Sequence, residues 1–203
     1  SRPGRGPLLA FVLAVVVLFI DSRPAEAQYF GRQKVQYETF DWQIMESDKF
    51  DIHFYPGMQT VTTDAARMSE RWYTRLSRIF QHEFQKKPII FYADHPDFQQ
   101  TNTTWGQLTE GTGGFTDALR NRVVMPFTGS YHENDHVIGH ELVHVFQYDL
   151  ASSAGGGGLQ GMSRLPLWLI EGMAEYLSLG RVDAHTAMWM RDAALRGELP
   201  TIR

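Results

Sequence analysis

The stretch "VIGHELVHVFQYD", residues 137–149, decides how this chain is read. It carries His140 and His144 four residues apart, with Glu141 directly after the first. On an α-helix, positions i and i+4 stand one turn apart on the same face, so two imidazole nitrogens can converge on one ion. Glu141 turns to the flank, where its carboxylate can reach a water on that ion without binding the ion itself. Ile138, Leu142, Val145, Phe146 and Asp149 form a separate stripe, mostly apolar, which predicts the face turned to the core. The histidines fall nearly opposite that stripe. His132 and His136 lie upstream, and about 12 Å of helical rise between His136 and His144 prevents those two from sharing an ion. Both upstream histidines are expected to be solvated.

Two nitrogens do not complete a metal site, so a further ligand is needed. "LPLWLIEGMAEYLSLG", residues 165–180, has helical periodicity, with Leu169, Ile170, Met173, Ala174 and Leu177 on one broad face. Glu171 and Glu175 sit together on another face, either an exposed polar edge or a source of carboxylate ligands. Gly172 weakens such a helix by about 1 kcal/mol relative to alanine, which is easiest to understand if another backbone passes close by.

"HELVH" followed by "WLIEGMAEY" resembles the gluzincin peptidases. The resemblance implies an α+β, zincin-like fold: a small twisted, mostly antiparallel sheet packed on helices, one helix bearing HExxH and the next bearing the third ligand. It implies Zn2+ held by His140, His144 and Glu171, with Glu141 as general base. It gives Glu175 the task of hydrogen-bonding a ligand histidine and orienting its ring. It also implies a Tyr or His donor to the oxyanion, for which Tyr176 and His185 are the nearby downstream candidates. The 26 residues between His144 and Glu171 exceed the spacing of the aminopeptidase branch. "GTGGFTDA", residues 111–118, stands where that branch has G-x-M-E-N, so endopeptidase activity on peptide or protein substrates is favoured. The order of segments is similar to exported bacterial peptidase-like proteins whose longer members continue into β-propeller repeats.

The rest of the chain is consistent with one domain. Its 203 residues are 43% hydrophobic and 21% charged, enough for one good core. "SRPGRGPLLAFVLAVVVLFIDSRPAEAQ" opens with arginines, runs apolar from Leu8 to Ile20 and ends in a small-x-small triplet, the layout of a signal peptide cleaved after Ala27. That apolar run is shorter than the roughly 20 residues a membrane-spanning helix needs, so no anchor is expected after cleavage. Residues 28–203 are then the metallopeptidase domain, exported to a bacterial periplasm or beyond. The chain contains no cysteine, so disulfides cannot stabilise it. A net charge of −4 argues against a nucleic-acid backbone as partner. A zinc-stabilised, catalytically idle envelope domain serving as a binding platform is the alternative function, and Glu141 speaks against it, since a purely structural metal has no use for an adjacent base.

Within the domain, residues 37–57 alternate around Ser47-Asp48 as a β-hairpin, with Phe50, Ile52 and Phe54 on one face. Residues 62–84 read as a long amphipathic helix, and "KPIIFYAD" as a short buried strand. Residues 95–108 read as loop or weak helix, with Trp105 expected to pack. Residues 113–127 read as a second hairpin, and an extended substrate could add to its edge near Gly113 to Asp117. The glycines 155–158 read as a flexible connection.

Overall fold

A computed structural model describes residues 34–155 and 157–199. The predicted leader, residues 1–27, lies outside the described residues.

The first hairpin pairs β1 (Gln43–Glu46) antiparallel with β2 (Phe50–Phe54), Gln43 opposite Phe54. A long helix, α1 (Gln59–Phe80), carries the chain to β3 (Lys87–Tyr92), which lies parallel to β2. A short helix, α2 (His95–Gln99), is capped by Asp94, whose side chain accepts from the Asp97 backbone N–H, with proline at the start. The second hairpin, β4 (Phe115–Asp117) and β5 (Arg122–Pro126), then completes a sheet of order β1-β2-β3-β5-β4. Four helices are named after it: α3 (Tyr131–Ser153), α4 (Gly158–Met162), α5 (Leu167–Leu179) and α6 (Ala184–Arg196).

Both hairpins form as the alternation predicts, but the sheet is mixed rather than mostly antiparallel. The outer pairings are antiparallel, and the two central ones, β2 with β3 and β3 with β5, are parallel. The cause is long connections: α1, and then residues 93–121, return the chain to the starting end of the sheet before the next central strand begins, as parallel pairing requires.

Alternation divides the strands between two clusters. Phe50, Ile52, Ile89, Phe91, Val123 and Met125 point into the main core under α1 and α3, whereas Tyr92 and Val124 join Phe98 of α2 on the opposite face. Phe146 anchors α3 in the main core, with ring centroids 4.7 Å from Phe84, 5.4 Å from Phe80 and 5.7 Å from Tyr73.

Helix α3 is more deeply enclosed than a single apolar stripe predicts. Ile138, Leu142, Val145 and Phe146 are buried as expected, and so are Gly139, Glu141, Val143, His144 and Gln147, because α5 covers the histidine side. At Gly139 an added Cβ would lie 2.6 Å from Trp72 Cε2, so the helix can approach α1 this closely only with glycine there. At Gly172 nothing lies within 4 Å, which corrects the expected close backbone approach. The glycine tract is also more than a connection: Gly157 takes a left-handed φ of 62° and Gly158 begins α4. Trp105, expected to pack, is 60% exposed.

Candidate metal centre

Ser130 caps α3 by accepting from the Glu133 backbone N–H, and the buried Asn134 accepts from the Thr128 backbone N–H at 2.9 Å. Trp72 Nε1 donates to Asp135 Oδ1 at 2.9 Å, fixing the helix start against α1. From that fixed start, one helical turn separates His140 from His144. Met173 and Leu177 pack α5 on the core, while Ala174 is fully buried. This seating turns Glu171 toward the two rings.

His140 Nε2 and His144 Nε2 lie 3.2 Å apart, and Glu171 Oε2 lies 3.3 Å from the first and 3.4 Å from the second. Donors bound to a tetrahedral zinc at about 2.0–2.1 Å are separated from one another by about 3.3–3.4 Å. The three edges therefore fit one tetrahedral face of such an ion. Without an ion, two ring nitrogens facing each other beside a carboxylate make a poor hydrogen-bond arrangement, and the donor set of two imidazoles and one carboxylate suits zinc chemistry.

Glu175 Oε1 lies 3.5 Å from His140 Nδ1, the far side of that ring, where an acceptor orients it. Glu175 Oε2 also lies 3.8 Å from His136 Nε2. His136 is thus half-buried beside α5 rather than solvated, because the same carboxylate serves both histidines. His132 is exposed as expected.

Glu141 is 5% exposed, and its carboxylate accepts from Thr116 Oγ1 at 2.8 Å. Burial pushes its carboxyl up to about 7, against the opposing pulls of the His144 charge and the Thr116 hydroxyl. A carboxylate so poised can exchange a proton near neutral pH. Burial, then the neighbouring His144, lowers the pKa of His140, favouring the neutral imidazole that binds metals.

His140, Glu141 and His144 line a cleft of about 280 Å³, walled on one side by Gly114 and by Phe115 and Thr116 of β4 and on the other by Glu171. A Cβ at Gly114 would meet Met125 Cβ at 3.0 Å and Val137 Cγ1 at 3.2 Å, so glycine there lets the strand lie close on α3. Tyr176 is 58% exposed and His185 is exposed on α6, and neither lines the cleft. Tyr148 does line it. Burial, followed by the charges of Glu171 and Glu141, raises its pKa and keeps the phenol protonated. Sequence reasoning passed over Tyr148 and Gln147, although spacings of four and three from His144 place both on the histidine side of α3. Thr116 had no such signal, because its contact with Glu141 joins residues that only the folded sheet brings together.

Residues 121–196 match the family model described as BSP, Peptidase of plants and bacteria. The match supports a peptidase-like family. It runs from the start of β5 to the end of α6 and contains His140, Glu141, His144, Glu171 and Glu175. No curated protein and no solved structure gives a significant match to the chain.

Proposed function

We propose that this chain is a zinc-dependent endopeptidase of gluzincin type, exported from a bacterial cell by its predicted leader. The observation that carries the reading is the triangle of His140, His144 and Glu171 donors beside the buried Glu141, in a cleft bordered by a sheet edge. The family match over the same helices supports the peptidase part of this reading.

His140, His144 and Glu171 would hold the zinc, which when bound would supply Lewis acidity toward water and the scissile carbonyl. Thr116 occupies Glu141 Oε2, leaving Oε1 to accept the proton of the attacking water. Glu141 then passes that proton to the departing amine. Glu175 holds the His140 ring in place. Tyr148 is the cleft donor for the oxyanion, a role for which Tyr176 and His185 are badly placed. Strand β4 ends the sheet, so an extended peptide can pair with its free edge and lie across the cleft. Among the described residues, the carboxylates that line this cleft are Glu141 and Glu171, both already assigned, and the reading therefore favours internal bonds over a free amino terminus.

The reading is tested with Glu141→Gln. The variant should keep its zinc and lose peptide hydrolysis by several orders of magnitude. Equal hydrolysis by wild type and variant would rule out Glu141 as the base, and hydrolysis by neither would favour the idle binding platform.

A further inference from the structure

We propose that Gln147 is the positioning residue that couples the two helices carrying the candidate metal ligands. The inference rests on the metal reading above and adds to it a device that sets ligand geometry. Gln147 is 7% exposed, one turn beyond His144 on α3. Its Nε2 donates to the Ile170 carbonyl of α5 at 3.1 Å, and its Oε1 lies 2.8 Å from His144 Nδ1.

The chemistry of these partners fixes every proton in the chain of contacts. A backbone carbonyl can only accept, so the amide must turn its NH2 toward Ile170 and its oxygen toward the ring. That oxygen can only accept, so His144 Nδ1 must carry the proton. In the neutral ring His144 Nε2 is then left with its lone pair, facing His140 Nε2 and Glu171 Oε2. One amide thereby selects the metal-binding tautomer of His144 and ties it to the residue immediately before Glu171. Glutamine is suited to this position because glutamate would present an oxygen to the Ile170 carbonyl, and leucine would satisfy neither contact.

Zinc titration of the full chain tests the coupling, with the His144 Nδ1–H resonance in a long-range proton–nitrogen correlation spectrum as a second readout. Gln147→Met removes both contacts at similar volume and should weaken zinc binding by about 10- to 100-fold. Gln147→Glu retains only the acceptor for His144 and should fall between wild type and Gln147→Met. Wild type should show its proton on Nδ1. Zinc affinity unchanged in a folded Gln147→Met protein would overturn the proposal while leaving the metal site standing, and so would a wild-type His144 protonated on Nε2. Failure of wild type to bind zinc at all would instead overturn the metal reading, and this inference with it.

Discussion

Thr116 Oγ1 lies 2.8 Å from Glu141 Oε2, so a hydroxyl on the edge strand β4 holds a carboxylate of α3. The strand proposed to receive substrate is therefore tied to the group proposed to activate water. Thr116→Val keeps the shape and strand preference but removes the donor. A hydrogen bond to a charged group contributes about 1.5–3 kcal/mol, so kcat should fall by about 10- to 100-fold with zinc content unchanged. Thr116→Ser should recover most of the loss in steady-state kinetics.

Tyr148 and Tyr176 give a paired comparison. Tyr148 lines the cleft, whereas Tyr176 is 58% exposed on α5. Tyr148→Phe should lower kcat by about 100-fold, the usual cost of one oxyanion donor, with little change in KM. Tyr176→Phe should leave both constants unchanged.

Two glycines should respond in opposite directions to alanine. Gly139→Ala forces a methyl to within 2.6 Å of the Trp72 ring and should destabilise the fold by about 1–3 kcal/mol. Gly172→Ala places its methyl in open space and should stabilise by about 0.5–1 kcal/mol through helix propensity and loss of unfolded-state freedom. Urea midpoints of the two variants beside wild type measure the contrast.

Asp149 joins α3 to β3 and to the segment after α1. Its carboxylate lies 2.7 Å from Lys87 Nζ and 2.8 Å from His82 Nε2. Burial acts to raise its pKa, but the hydrogen bonds from Lys87 and His82 outweigh it and hold the carboxyl below its ordinary value. A depressed pKa stabilises the fold above the unfolded value of about 4, and that contribution is lost as pH falls through the folded value. Asp149→Asn should therefore cost about 1 kcal/mol at pH 7, and its difference from wild type should shrink in urea titrations below about pH 4.

The histidine pair was legible because its geometry is local: four residues on a helix fix two rings relative to each other without reference to any other segment. Glu171 was legible through the paired pattern with the next helix, although only the packing of Met173, Ala174 and Leu177 into the core beside α3 turns it to the rings. The half-buried position of His136 beside Glu175 arises across that same packing, which helical periodicity in either segment does not contain. Parallel pairing of β3 with β2 and β5 was hidden for a similar reason, since alternation reports the faces of a strand and not its neighbours. Thr116 shows the limit most clearly, because its partner is 25 residues away and the contact exists only once β4 lies on α3.

The proposed activity and the Gln147 coupling require that His140, His144 and Glu171 share one ion. The most direct measurement is calorimetric zinc titration of the metal-free protein beside Glu171→Ala and Glu141→Gln. Wild type and Glu141→Gln should each bind one zinc with closely similar affinity, and Glu171→Ala should bind at least about 10-fold more weakly. Equal affinity in wild type and Glu171→Ala would contradict the site, as would a wild-type chain that takes up no zinc.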